Sequence, residues 1–151
     1  VSYFLLIDLE KEKILLVHHR KAGLWLPAGG HVELGEHPTD TVKREIKEEL
    51  GIEAEFLAPL PIFCTVTQTV GFTAGHTDVS LWYSLKGDST KPLDFDEGEF
   101  SEVQWFRLDN IPFEKSDPHM ERFIHKIYTS NGKKIIFHST TRTHREHCYD
   151  Q

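Results

Sequence analysis

The stretch GHVELGEHPTDTVKREIKEELGI, Gly30 to Ile52, decides the reading of this chain. Pro38 suits the first position of a helix, where its missing N–H has no partner to lose, and Gly51 suits the residue just past the end. The spacing predicts a helix over 38–50. Val42, Ile46 and Leu50 recur every four residues and form the stripe that faces a core. Glu45, Glu48 and Glu49 stand three and four residues apart, so their carboxylates converge on another face. Like charges so close repel by about a few tenths of a kcal/mol per pair when solvated, and by more in a cleft. A positive partner is therefore expected among them. Arg44, four residues before Glu48, can fork onto a carboxylate and answer part of that charge. A divalent cation can answer the rest, and an oxygen-only ligand set without Cys or an obvious His suits Mg²⁺ or Mn²⁺ rather than Zn²⁺. Taken alone, the three glutamates read more readily as an ordinary solvated Glu/Lys face.

The wider spacing decides between these readings. Gly30, five residues, Glu36, seven residues, then Arg44-Glu45-Ile46-Lys47-Glu48-Glu49-Leu50-Gly51-Ile52 resembles, at every fixed position, the signature of the Nudix hydrolases, the MutT-like family. From ordinary residue usage a chance match at a given start is on the order of one in a billion. The resemblance implies an α/β fold, an α/β/α sandwich with a mixed β-sheet between the catalytic helix and a C-terminal helix. It implies a Mg²⁺- or Mn²⁺-dependent hydrolase that cleaves a phosphoanhydride of a nucleoside di- or triphosphate or a derivative, as a nucleotide-pool cleaning pyrophosphatase does. Sugar nucleotides, dinucleotides and RNA caps are alternative substrates, and a noncatalytic nucleotide sensor is the alternative of another kind. In the family, glutamates matching Glu45, Glu48 and Glu49 hold the metals with a backbone carbonyl, here that of Gly29. The arginine matching Arg44 orients a glutamate, and Glu36 and Gly30 support the loop behind the ligands. The family also draws a glutamate from later in the chain as ligand or general base. In the acid-rich segment of Asp94, Asp96, Glu97, Glu99 and Glu102, Glu99 is the first choice, with Glu97 and Glu102 behind it. The water's proton goes to Glu49, Glu45 or Glu99.

The 151 residues amount to one domain, expected over 1–132, with a strand or tail over 133–151. A formal charge of −7 and a pI near 5.8 disfavour general nucleic-acid or acidic-membrane binding through bulk electrostatics. Cys64 and Cys148 make no Cys-x-x-Cys pair, so neither a disulfide framework nor a zinc site is indicated, and a reducing cytoplasm fits best. The apolar run from Tyr3 to Ile7 is too short for a signal-peptide core or a membrane span. The chain opens inside a strand pattern, which leads us to expect a further segment upstream.

Runs over 2–9 and 13–19, separated by Glu10-Lys11-Glu12, read as a hairpin. Arg20 and Lys21 follow, placed to reach phosphate oxygens or to lie in a solvated turn. Adjacent Gly29 and Gly30 let backbone approach a ligand closely. His31 to Glu33 reads as a short strand. Pro59 and Pro61 break 53–63 into an edge strand or a kinked connection, and such an edge offers a route to a homodimer. The β-branched run 65–69 is followed by a glycine-containing loop over 70–75. In 76–86, Val79, Leu81, Tyr83 and Leu85 mark a core face, while Asp78, Ser80, Trp82 and Ser84 mark a polar one. Trp82 on that polar face either stacks on a substrate base or covers a neighbouring helix. A last strand runs over 103–108. After it, Met120, Phe123, Ile124, Ile127 and Tyr128 make the apolar face of a second helix, stopped by Asn131-Gly132. Asp117 caps that helix or, by a short similarity to enzymes that clean oxidised purine triphosphates, reads the base. His144, His147 and Cys148 fall in the polar tail.

Overall fold

The computed structural model of the chain describes residues 1–68 and 75–130. The expected loop over 70–74, the helix stop at Asn131-Gly132 and the segment 133–151 lie outside the described residues. β1 (Ser2–Asp8) and β2 (Lys13–His19) form the expected hairpin, but they pair only at its closed end, Ile7 with Ile14 and Asp8 with Lys13. β6 (Thr77–Lys86) occupies one edge of β1 in parallel, and β7 (Phe100–Arg107) runs antiparallel along one edge of β2. The diverging edges are filled by two short strands, β3 (Leu24–Leu26) on β2 and β4 (Ala28–Gly30) on β1. β5 (Phe63–Gln68) pairs antiparallel with β6 on its outer side and, among the described residues, completes a seven-stranded mixed sheet. The wedge matters for function, because it brings Gly29 and Gly30 to the open end of the hairpin.

The two helices, α1 (Pro38–Leu50) and α2 (Met120–Ser130), cover opposite faces of the sheet. Alternation along the strands sorts the side chains. Leu5, Ile7, Ile14 and Leu16 join Met120, Phe123, Ile124 and Ile127 in one core. Phe4, Leu6, Leu15, Val17, Tyr83 and Leu85 join Val42, Ile46 and Leu50 in the other. Each such side chain contributes about 1.5–3 kcal/mol on burial. α1 starts where the sequence places it. His37 Nδ1 accepts from the Thr39 amide at 3.2 Å, and Gly51, left-handed at φ 67°, donates to Lys47 O at 3.1 Å.

Several expectations are corrected. β6 has no polar face over its second half, because α2 covers the side that Ser80, Trp82 and Ser84 occupy, and all three are buried. Trp82 is therefore core and not a substrate platform. Its ring is fully enclosed, centroid 4.8 Å from Phe123 and edge-on to Tyr3, and its Nε1–H donates to Thr65 Oγ1 at 2.8 Å. Residues 31–33 form no strand but lead into the turn at Leu34-Gly35. Of the two readings of 53–63, the kinked connection is the one found: it meets β6 at the bridge of Phe56 with Leu85 and again where Ile62 N donates to Trp82 O at 2.9 Å. The outer strand is β5. β7 begins at Phe100, three residues before the Val103 start expected, because Phe100 pairs with His19. No helix among the described residues is long and apolar enough to cross a membrane.

Trp82→Ala should cost about 3–5 kcal/mol of unfolding free energy by urea denaturation, as expected for an enclosed aromatic. A loss below about 1 kcal/mol would return Trp82 to the surface role.

Candidate active site

The packing of α1 sets up the site. Val42, Ile46 and Leu50 pin the helix to the sheet, which turns Glu45 and Glu49, one turn apart, toward β4. Glu49 is 3% exposed, and its Oε2 accepts from the Gly29 amide at 3.1 Å. Gly29 has φ 140°, and a Cβ there would run into the Ser2 carbonyl; a Cβ on Gly30 would run into the Glu45 carboxylate. Glycine at 30 lets the Glu45 carboxylate close on β4, and glycine at 29 lets β4 lie against the backbone of β1. Glu48, with its side chain 62% exposed, points outward and meets only the edge of Arg44 at 3.5 Å.

Arg44 does not fork onto Glu48 as its spacing allowed. Its Nε and one terminal nitrogen grip Glu36 at 2.9 and 3.1 Å, the other terminal nitrogen donates to Glu45 Oε1 at 2.6 Å, and a further bond reaches His31 O at 3.3 Å. Glu36 also accepts from the Thr41 hydroxyl at 2.7 Å and from the Glu33 amide at 3.1 Å. The guanidinium first, then those two donors, hold its carboxyl at about 2, while Glu36 in turn raises the Arg44 pKa. The Glu36–Arg44–Glu45 chain thus ties the loop before α1 to the helix and fixes one oxygen of Glu45.

The loop between β6 and β7 adds the remaining acids. Asp96 N donates to Glu49 O at 2.9 Å, docking the loop on the end of α1, and Asp96 Oδ1 accepts from Gly98 N at 2.8 Å. Glu99 is carried beside Glu49 and Glu45. Of the three loop candidates it is the one on the cleft wall, since Glu97 serves through its carbonyl and Glu102 sits in β7 opposite His18. Burial first, then Glu45 and Glu99, push the Glu49 carboxyl up to about 9 against the pull of the Gly29 amide. Glu45 is raised by burial and by Glu48 and Glu99, with Arg44 opposing.

A cleft of about 1080 Å³ opens beside these acids. Gly29, Gly30 and Glu99 line one wall, Lys21 stands at its edge, and Tyr3, Asp78, Ser116 and Asp117 line the wall on the α2 side. The bridge between Trp25 and Ser116 ties the turn before α2 to β3 and so fixes that second wall. Asp117 does what a cap does, accepting from His119 N at 2.8 Å, and it also faces the cleft; burial raises its pKa. Ser116 Oγ is buried without a partner among the described residues. Arg20 does not line the cleft, because its Nε donates to Glu97 O at 2.8 Å and turns it onto the loop. Sequence reasoning passed over Tyr3 and Ser116, whose only signals are a tyrosine at a strand end and a serine before the Asp117-Pro118 turn.

Among the described residues, no three His, Cys, Asp or Glu side chains are drawn together as a ready-made metal cluster. The donor chemistry nevertheless fits a hard dication. Glu45, Glu49 and Glu99 are oxygen donors; Glu99 raises the pKa of both helix acids and Glu45 raises that of Glu49, while Arg44 sets positive charge against them through Glu45.

A helix that carries acids into a cleft at the open end of a mixed sheet defines the structural class. The chain belongs to the Nudix family: a model of the NUDIX domain matches residues 1–127. It is similar to the Nudix hydrolase YvcI of Bacillus subtilis (strain 168), 29% identical over 120 residues that cover 76% of this chain and 73% of that protein. It is also similar to the oxidized purine nucleoside triphosphate hydrolase of Mus musculus, 32% identical over 114 residues, 74% of this chain and 69% of that one. The chain spans 35 to 37% of the NAD-capped RNA hydrolases that it also matches. A Nudix-family hydrolase from Clostridium perfringens shares the fold with a TM-score of 0.68 over 82% of this chain and 91% of that one, at 21% identity. The chain is accordingly a hydrolase of pyrophosphate bonds in nucleoside diphosphate-linked compounds, in a family that generally uses divalent metal ions.

The charge balance gives a pH signature. Glu49 keeps a proton in the fold between its ordinary value of 4.5 and about 9, a proton the unfolded chain has released, so metal-free stability should fall as pH rises through that window. Glu36 acts oppositely, its contribution being lost as pH falls from 4.5 toward about 2. Urea midpoints in a chelator should peak near pH 5, and Glu49→Gln should flatten the alkaline side. A midpoint that climbs from pH 5 to pH 9 would contradict this electrostatic picture.

Proposed function

We propose that this chain hydrolyses a phosphoanhydride of a nucleoside di- or triphosphate, or of a derivative, with Mg²⁺ or Mn²⁺, as a pyrophosphatase that removes particular nucleotides from the pool. The observation that carries the reading is the crowding of Glu45, Glu49 and Glu99 beside a cleft large enough for a nucleotide, whose other wall offers hydrogen-bonding groups. Glu45, Glu49 and the Gly29 carbonyl would hold the metal, with Glu48 at the outer edge. When bound, it supplies neutralisation of the bridging phosphates and a water of lowered pKa.

The rest belongs to the chain. Lys21 at the cleft edge draws the polyphosphate in. Arg44 keeps one oxygen of Glu45 occupied and so fixes the direction of the other. As water attacks phosphorus and the bond to the leaving phosphate breaks, Glu99 accepts the water's proton. The products are a monophosphate together with pyrophosphate or a second phosphorylated group. On the α2 side, Asp117, Asp78 and Ser116 face the cleft and suit a base edge rich in N–H donors. The mouse relative's named substrate, an oxidised purine nucleoside triphosphate, is compatible with that wall. A noncatalytic sensor on the same fold would have no use for bringing Glu99 against Glu45 and Glu49, whose ionisation burial and like charge already oppose.

The test is a panel of dGTP, ATP, UDP-glucose, NAD and diadenosine tetraphosphate incubated with Mg²⁺, products separated by ion exchange. Turnover of at least one member is expected, and Glu49→Gln should lower kcat by about 10²-fold or more. Binding without cleavage across the panel would favour the sensor. Asp117→Asn should shift the kcat/KM ratio between purine and pyrimidine triphosphates by about tenfold, and an unchanged ratio would remove Asp117 from base reading.

A further inference from the structure

Glu99 presents a physical difficulty. It is the last loop residue before β7, with its side chain 41% exposed, beside Glu45 and Glu49 of like charge. Repulsion favours swinging it into solvent, and a lysine or arginine partner that held it would also quench its basicity. His19 meets both requirements. Its Nδ1 accepts from the Ala22 amide at 3.3 Å, which leaves the proton of the neutral ring on Nε2, and Nε2 faces Glu99 Oε1 at 3.6 Å, a polar contact slightly longer than a hydrogen bond. The ring is further steadied edge-on against Phe100, centroids 5.9 Å apart.

The local fold builds this contact. The register between β2 and β7 shifts at His18/His19, where His18 faces Glu102 and His19 faces Phe100, leaving Ser101 as the extra residue. The extra residue re-aims the start of β7, and the backbone of the loop is then fastened to the end of β2. Arg20 N donates to Glu99 O at 3.0 Å, and Arg20 Nε donates to Glu97 O at 2.8 Å. Those bonds hold the Glu99 main chain whatever stands at position 19. Among the described residues, only His19 is placed against the Glu99 carboxylate itself.

We infer that His19 is the positioning residue of the hydrolytic centre: a neutral N–H donor, braced from behind by Ala22, that keeps the Glu99 carboxylate turned into the cleft toward Glu49 without neutralising it. The inference rests on the reading that Glu99 takes part in the reaction. It gives the β2 end a task that the motif around α1 does not contain, and it assigns a function to the β-bulge.

The experiment is steady-state kinetics at saturating Mg²⁺ with the panel nucleotide cleaved fastest, using His19→Ala, His19→Phe, His19→Gln, Glu99→Gln and the double variant His19→Phe/Glu99→Gln, with thermal melts to confirm folding. His19→Ala and His19→Phe should lower kcat by roughly 10- to 100-fold while KM moves less than about threefold. His19→Gln, which keeps an N–H donor, should recover most of the loss. In the double variant the effect of His19→Phe should vanish, because there is no longer a carboxylate to position. If Glu99→Gln lowers kcat and His19→Phe does not, the positioning role is overturned and the reading of Glu99 stands. If Glu99→Gln leaves kcat unchanged, both fall. Should His19→Phe melt early, His19→Gln and its KM-against-kcat split still decide the matter, since equal losses in His19→Gln and His19→Ala would overturn the donor role.

Discussion

The constraint on which the rest depends is electrostatic: Glu45 and Glu49 are held one helical turn apart against a strand, Glu49 buried and Glu45 partly so, with the Arg44 guanidinium beside Glu45. Burial and mutual repulsion both oppose their ionisation, and Glu49 is pushed up to about 9 as a result. Such an arrangement is tolerated only because the surrounding fold over-determines it. The apolar stripe of α1 prevents the helix from rotating away, the Gly29 amide caps Glu49, and Gly30 leaves room where any side chain would press on Glu45. Stability given up at this point is compensated by two aliphatic and aromatic cores, one on each face of the sheet.

The same constraint explains features that look unrelated in the chain. The hairpin of β1 and β2 pairs briefly and then diverges, and only that divergence admits β4 and its two glycines. The loop before β7 docks on the carbonyl end of α1 through Asp96, which delivers Glu99 to the acids from a distant part of the sequence. Arg44 spans Glu36 and Glu45, so the loop before the helix and the helix itself move as one body. The docked loop adds a third negative charge beside two that the fold already holds together, which serves no purpose in a purely structural protein and suits polyphosphate chemistry.

The helix, its caps and its buried stripe were legible in the sequence because Pro38, the four-residue recurrence and Gly51 are all local signals. The layer order followed from the same periodicities together with the family resemblance. What was not legible depended on neighbours distant in sequence. The alternation in β6 marked Trp82 as facing a polar side, yet α2 buries that side, and nothing within 77–86 announces it. Arg44 had Glu48 within helical reach, and its fork went instead to Glu36, eight residues back, because the loop folds over the helix start. Arg20 carried a charge suited to phosphate, but the β7 loop claims it. His19 was invisible as a partner of Glu99 because the two are eighty residues apart and meet only through a register shift.

Binding of Mn²⁺ to the intact protein, followed by loss of the free-ion electron paramagnetic resonance signal, tests the central claim most directly. Binding at neutral pH should be saturable, sharply weakened in Glu45→Gln and in Glu49→Gln, with Glu48→Gln weakened least because that side chain stands largely in solvent. Equal titration curves for the wild type and the Glu49→Gln protein would show that the crowded carboxylates are not there for a dication, and would contradict the account.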